Sequence, residues 1–342
     1  MIRRVSLTLL TLLFVQSAFS YVSFAQSTGC TGLAIWYFPD PIPPGWNCSL
    51  PGQGPYSMLC IVPNGNCPPV SYCPTCGSGA GNSVPSAGSP INLTNGNTYI
   101  QEMDLKVPGL GGGLSLERTW NSIWPGIETF AQNGMFGLNW RSTYEERIFV
   151  GSGTSVNYMV YAKSDGGLWY FASNGTNWPL ASPANTTATL ANNGTMWILT
   201  FKNGEQRTFS LTSGSLTSII DRNGNTTQLT YDGSNRLTTV TDPVSRHLYF
   251  TYGSGGSSGQ VASVNSDFGI SLSYAYDTQN RLTQVTKPDL TTISFGYNSQ
   301  SLITSVTDQN GKTLESHTYD TLGRGKTSSR ALGVDAVTVT YQ

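Results

Sequence analysis

The chain has 342 residues, of which only 11 % are charged, with 18 Lys and Arg against 19 Asp and Glu. Soluble domains carry roughly 25 % charged residues and nucleic-acid-binding surfaces need a basic excess, so a nucleic-acid partner is not expected. An apolar fraction of 38 % also argues against a charge-rich disordered chain. The two histidines, His247 and His317, offer little for acid–base or metal chemistry, so a non-enzymatic protein is expected, with no catalytic, metal or cofactor site.

The N-terminus has the pattern of an export signal. Arg3 and Arg4 precede an apolar run over 7–15, and Ser23 and Ala25 supply the small residues that a signal peptidase recognises. That run is far shorter than the ~20 residues of a membrane span. Residues 1–25 are therefore interpreted as a removed signal peptide, which predicts a secreted or cell-surface protein with no membrane span after its removal.

Residues 26–83 form a Cys/Pro/Gly-rich leader and linker. An even number of cysteines in an exported chain favours disulfides, whose connectivity stays open, while the CxxC spacing at its end leaves zinc or redox chemistry as alternatives. Residues 26–90 hold 12 of the 18 prolines and a single charge, Asp40, which predicts neither a long helix nor a central strand. The disulfide candidates are Cys30, Cys48, Cys60, Cys67, Cys73 and Cys76.

From residue 84 onward the chain has the signals of an antiparallel hairpin meander. Asn-Gly and Asp-Gly pairs favour two-residue hairpin turns, and between 193 and 233 a turn signal recurs about every ten residues. The segments between them are rich in β-branched and aromatic residues. An all-β fold is therefore predicted.

Within this meander a unit of about 21 residues repeats five times. Each unit begins with the pattern LxxV, at residues 216, 237, 261, 282 and 303, and a tyrosine follows 15 or 16 residues later. The spacing of Leu237 and Val240 would put them on opposite faces of a regular strand, so either a bulge intervenes or both faces are partly covered. The signature residues are Tyr231, Asp232, Arg236, Tyr252, Tyr276, Asp277, Arg281, Tyr297, Tyr319, Asp320 and Arg324.

The Tyr-Asp, Asn-Arg-Leu and LxxVxD elements resemble the repeats of the Rhs/YD-repeat proteins, over roughly residues 205–342. The stretches 90–96, 104–109, 116–122 and 136–140 are similar to the domain of unknown function that precedes such repeats in many exported bacterial proteins. The resemblance implies an N-terminal β domain over 84–204 and YD/Rhs repeats over 205–342. It also implies a sheet that winds into a partial shell or solenoid, which in larger members commonly encloses a C-terminal toxin.

Five units are few for a closed shell, and no toxin region follows them. The chain is therefore interpreted as the structural portion of an Rhs-type secreted or cell-surface protein, truncated or partial and lacking a C-terminal toxin. Its expected partners are further Rhs repeats or a toxin supplied elsewhere.

The alternative function is a cell-surface carbohydrate-binding or adhesion module, with glycans or cell wall as partners. The aromatic content of 11 % motivates it, and the aperiodic upstream tryptophans are the first place to look for a ligand surface. The regular position of the repeat tyrosines instead favours cross-strand packing. A hydrolase would need two carboxylates in a cleft, and the adjacent pair Glu145 and Glu146 would point in opposite directions on a strand.

Overall fold

The structure is a computed structural model that describes residues 33–37, 47–51, 57–61, 86–124, 133–150, 158–173, 178–182, 188–254 and 259–341. The interpreted signal peptide lies outside these residues, as do Cys30, Cys67, Cys73 and Cys76. The chain divides into two units, one of residues 1–70 with 154–156 and one of the remainder.

The first unit contains a three-stranded antiparallel sheet. Its strands are β1 (Leu33–Tyr37), β2 (Asn47–Pro51) and β3 (Ser57–Ile61), in the order β1-β3-β2. The expectation that no central strand could form here is wrong, because β3 has no proline and so keeps every N–H needed for pairing on both sides. The backbone register places Cys48 opposite Cys60. The disulfides themselves stay a prediction.

The second unit begins with short strands and one long hairpin. The strands β6 and β7 pair along their length and β10 adds to β7, while β4 pairs with β5 and β8 with β9. A 3-10 turn at Leu110–Gly112 joins β6 to β7. The bounds are β4 (Ser86–Ala87), β5 (Ile91–Asn92), β6 (Tyr99–Val107), β7 (Leu114–Asn121), β8 (Asn133–Gly134), β9 (Gly137–Leu138) and β10 (Trp140–Ser142).

The rest of the second unit is a single antiparallel sheet of 19 strands, each paired with the strand before it in the sequence. This order is the predicted hairpin meander, and it runs through residue 204 without interruption. A second 3-10 turn, Ala331–Gly333, precedes the last strand. The strands are β11 (Arg147–Val150), β12 (Tyr158–Ala162), β13 (Leu168–Ala172), β14 (Trp178–Ser182), β15 (Ala188–Asn192), β16 (Met196–Phe201), β17 (Gln206–Ser210), β18 (Leu216–Ile220), β19 (Thr226–Tyr231), β20 (Leu237–Thr241), β21 (His247–Tyr252), β22 (Val261–Ser266), β23 (Ser271–Tyr276), β24 (Leu282–Thr286), β25 (Thr292–Tyr297), β26 (Ile303–Asp308), β27 (Thr313–Tyr319), β28 (Gly325–Arg330) and β29 (Val337–Thr338).

A bulge in each repeat decides which face the LxxV residues occupy. Tyr231 pairs with Leu237 and Thr230 pairs with Thr239, so the register skips one residue. The extra residue brings Leu237 and Val240 to the same face, where they are 3 % and 0 % exposed. The same shift recurs where β21, β23 and β25 meet the strands that follow them. Of the two alternatives left open by the spacing, the bulge is the one observed.

The core of the second unit lies between the upstream strands and one face of the long sheet, called here the inner face. Its largest hydrophobic cluster joins residues of β6, β7 and β10 to the buried positions of the repeats. A smaller cluster on β11–β13 contains Phe149 and Tyr170. Within the described part of the chain, no helix combines the length and the hydropathy that a membrane crossing requires.

Candidate functional site: the inner interface and the tyrosine ladder

Aromatic side chains of the upstream segment meet the inner face at one contact per repeat. We call this set of contacts the inner interface. Ring pairs in edge or tilted geometry at such distances are each worth about 0.5–1.5 kcal/mol beyond their buried area. The pairs are Tyr144 with Phe250 (6.2 Å between centroids), Phe136 with Tyr274 (4.8 Å), Trp140 with Phe295 (5.2 Å) and Trp120 with Tyr319 (6.4 Å).

A buried ion pair lies at the centre of the inner interface. Asp104 on β6 faces Arg118 on β7, whose Nη2 donates to Asp104 Oδ1 at 2.8 Å, and both side chains are at most 1 % exposed. Burial alone would lower the pKa of Arg118, but the Asp104 carboxylate beside it raises that pKa above its ordinary value. The hydroxyl of Tyr274 on β23 donates to Asp104 Oδ2 at 2.8 Å. The guanidinium also lies over the Trp140 ring at 4.5 Å, so the pair links the hairpin to the repeats.

The last described repeat has small residues where the earlier repeats have large apolar ones. Gly325 and Ser328 occupy the two LxxV positions of β28. The Gly325 N–H donates to the Gly96 carbonyl at 2.8 Å, and a side chain at Gly325 would overlap Ile91. Ser328 Oγ donates to the Ser89 carbonyl at 2.8 Å and accepts from the Ser89 N–H at 3.0 Å. These residues leave room for the chain around β4 and β5 to pack on this unit.

The repeat tyrosines form a ladder that ties each unit to the one before it. Each hydroxyl donates to the backbone carbonyl of the first LxxV residue of the preceding hairpin, and burial raises the pKa of each phenol. These bonds support the cross-strand packing interpretation of the repeat tyrosines. The bonds are Tyr231 to Leu216 (2.6 Å), Tyr252 to Leu237 (2.9 Å), Tyr276 to Val261 (2.9 Å), Tyr297 to Leu282 (2.7 Å) and Tyr319 to Ile303 (2.6 Å).

The Asp and Arg of the signature shape the turns and cover the ladder. Asp277 Oδ1 accepts the N–H groups of Gln279 and Arg281, and its Oδ2 accepts from Arg281 Nε at 2.7 Å. The Arg281 guanidinium then lies 4.8 Å from the centroid of the Tyr297 ring in the next unit. The same arrangement recurs for Asp232 with Arg236 over Tyr252 and for Asp320 with Arg324 over Tyr341.

The structure brings the signature residues together as this ladder, whereas sequence reasoning missed the roles of Asp104, Arg118 and Gly325. Both members of the ion pair lie in the upstream stretches that carry the family resemblance, which was the available signal. Nothing local marked Gly325, because its constraint comes from Ile91 and Gly96, more than 200 residues earlier.

The remaining acid–base candidates do not converge. The Glu145 and Glu146 carboxylates engage separate partners, the Met135 N–H at 2.6 Å and the Tyr161 hydroxyl at 2.8 Å. Burial raises the pKa of both carboxyl groups. His247 and His317 lie on β21 and β27, with carboxylates of Asp267 and Glu315 as their charged neighbours. Over the described residues, no cluster of three or more His, Cys, Asp or Glu side chains could hold a metal ion.

The upstream tryptophans, proposed as the first place to look for a ligand surface, pack in the core instead. Trp120 and Trp140 are 0 % exposed in the inner interface. Trp169, Trp178 and Trp197 are partly buried against the same cluster. The carbohydrate hypothesis therefore loses this support.

Comparison with family models matches two parts of the chain. Residues 88–175 match the family described as Domain of unknown function (DUF6531), and residues 212–246 and 257–292 match the RHS Repeat. The matched ranges cover the hairpin that carries the buried ion pair and the first repeats that carry the ladder. The expected order, a domain of unknown function followed by repeats, is confirmed.

Named relatives and solved structures also match. The chain is 25 % identical over 229 residues to the tRNA nuclease WapA of Bacillus subtilis (strain 168) and to the tRNA3(Ser)-specific nuclease WapA of Bacillus spizizenii. The match covers 63 % of this chain but only 9 % of those relatives. A crystal structure of TcdB2-TccC3-Cdc42 matches 70 % of this chain and 12 % of its own, at 16 % identity and a TM-score of 0.27. The Tc holotoxin pore of Photorhabdus luminescens, with a TccC3 mutation, matches 58 % of this chain and 16 % of its own, at 12 % identity and a TM-score of 0.25.

Proposed function

We propose that this chain, which belongs to the Rhs/YD-repeat proteins and carries their preceding domain of unknown function, is a non-catalytic structural scaffold of an exported protein. The inner interface carries the proposal. Four successive repeats each supply one ring to the upstream segment, and Tyr274 binds the buried ion pair from a fifth direction of contact. The sheet acts as a wall whose inner face is fixed to the upstream hairpin.

Burial of its polar groups supports a structural role for this interface. Asp104 and Arg118 neutralise each other, and the Glu146 carboxylate accepts from Tyr161 and from Arg207 Nε at 3.2 Å. A general acid or base must reach substrate, whereas these carboxylates are enclosed by protein groups. The partners that we propose for the scaffold are a toxin or further Rhs repeats.

Exposure of purified full-length protein to total tRNA tests the non-catalytic part of this proposal. The matched relatives are named as tRNA nucleases, so cleavage is the sharpest competing activity. We expect intact tRNA on denaturing gels, at several pH values and with added divalent cations. Cleavage that persists through purification and disappears in a Glu145→Gln or a His317→Ala variant would overturn the proposal.

Limited proteolysis tests the scaffold itself. A scaffold held by the inner interface should leave the hairpin β6–β7 and the repeats resistant together, because neither can open without breaking the ring contacts. Mass spectrometry of the fragments reads this out. Early release of an intact repeat segment, with the hairpin digested, would contradict the proposed wall.

A further inference from the structure

One repeat departs from the others on the face of the sheet opposite the inner interface. On β21, Leu248 and Phe250 are buried, so the alternating His247 and Tyr249 point outward. At the two matching positions, the other four units have Thr226 and Gln228, Ser271 and Ser273, Thr292 and Ser294, and Leu314 and Ser316. The outward pair of rings is therefore peculiar to one unit.

The two rings form a flat, fixed pair. They stack in parallel, with 5.6 Å between centroids and 8° between planes. His247 is held by Asp267 at the turn after β22, through its backbone N–H to Oδ1 at 3.1 Å and its Nδ1 to Oδ2 at 2.8 Å. Tyr249 is 42 % exposed, and Phe268 beside Asp267 is 37 % exposed. Rigid, exposed rings of this kind are typical of binding surfaces.

Hydroxyl and amide groups continue the surface beside the rings. The register places Asn265 next to Tyr249 on one side and Thr239 on the other. Asn265 Nδ2 donates to Ser263 Oγ at 3.0 Å, and Asn265 Oδ1 accepts from Ser271 Oγ at 2.8 Å. These contacts orient a row of donors and acceptors parallel to the rings.

Folding of the unit does not account for the ring pair. Four units with the same hairpin geometry have mostly small polar residues at these positions, so the strand needs no ring there. An exposed ring also leaves apolar surface in water that a serine would not present. The pair is best explained by an external ligand that covers it.

We propose that His247, Tyr249 and Asp267, with the adjoining Asn265 row, form a binding site for a neutral glycan on the outer face. The tyrosine ring would stack on the C–H face of a sugar, while Asp267 and Asn265 bind its hydroxyls. The neutral class follows from charge: Asp267 is an exposed carboxylate whose pKa is lowered by its hydrogen bond to His247, so it would repel an anionic glycan. This site is independent of the proposed scaffold.

A depletion assay with the full chain tests the site. The probes are cellulose, chitin and starch as neutral glycans, and alginate as an anionic one. We expect retention on at least one neutral probe and a loss of about tenfold in affinity for Tyr249→Ser and for His247→Ser. The matched control is Gln228→Ser, the same position in the preceding unit, which should bind like wild type.

A ring-preserving variant separates binding from folding. Tyr249→Trp should retain binding, whereas a defect in both Tyr249→Ser and Tyr249→Trp with a lowered thermal midpoint would assign the residue a structural role and overturn the site. The site is also overturned if the wild-type protein binds none of the neutral probes, binds only alginate, or binds equally well as Tyr249→Ser.

Discussion

At the scale of single residues, the closest steric constraint in the long sheet lies at Gly214. The Ile148 N–H on β11 donates to the Gly214 carbonyl at 2.8 Å, which returns the first strand of the sheet to the turn between β17 and β18. Gly214 has a φ of 68°, and any Cβ there would overlap the Ile148 carbonyl oxygen. Both the backbone conformation and the space therefore require glycine.

We expect Gly214→Ala to destabilise the protein by at least about 2 kcal/mol more than Gly224→Ala. Gly224 is the matched control because its φ is 85° and an added Cβ would meet nothing within 4 Å. That variant should lose only the left-handed strain, roughly 1–2 kcal/mol. Urea denaturation measures both. Equal losses would mean that the contact between β11 and the turn does not contribute to stability.

At the scale of elements, the hairpin β6–β7 is fixed to the repeats by one ion pair and a row of rings. A buried pair is weak evidence for stability by itself, since desolvation opposes the attraction between the charges. Its clearer effect is on position: Asp104 accepts from both Arg118 and Tyr274, so it aligns the hairpin with β23. The rings then set the spacing to the neighbouring units.

Removal of one partner of this pair should be costly. We expect Asp104→Ala to lower the free energy of unfolding by about 3–5 kcal/mol, because Arg118 stays buried without its counter-charge. The control Asp335→Ala breaks an exposed pair with Arg330 and should cost under about 1 kcal/mol. Chemical denaturation gives both values.

A double replacement decides whether the charge or the shape matters. Asp104→Leu combined with Arg118→Met should recover most of the stability lost in Asp104→Ala, since apolar residues of similar volume remove the desolvation cost. If the double variant is less stable than Asp104→Ala, the pair itself is required for packing the hairpin on β23.

At the scale of the whole molecule, buried carboxyl groups couple the fold to pH. Burial raises the pKa of Glu102, Glu145 and Glu146. A raised folded-state pKa means that the folded state binds the proton more tightly, so the stability from this proton is complete below the unfolded value and is lost as pH rises through the folded one. The turn aspartates with lowered pKa act in the opposite sense, but only below about pH 4.

Stability should therefore increase as pH falls from 8 towards 5. Glu145→Gln keeps a neutral side chain at all pH values, so we expect a smaller dependence of the unfolding free energy on pH across this range. Urea titrations at several pH values measure it, with Glu117→Gln on the partly buried edge of β7 as the comparison. An unchanged slope in Glu145→Gln would show that Glu145 does not carry the linkage.

The sequence alone determined the local order of this protein: strands, hairpin turns, a unit of about 21 residues and the family to which it belongs. Those features follow from turn chemistry and period-two patterning, which act within a few residues. Only the tertiary structure decided that a bulge brings Leu237 and Val240 to one face, that the upstream tryptophans are core, and that Ser89 bonds Ser328 across 239 residues. Such contacts join distant parts of the chain, and their geometry leaves no periodic signal in either part.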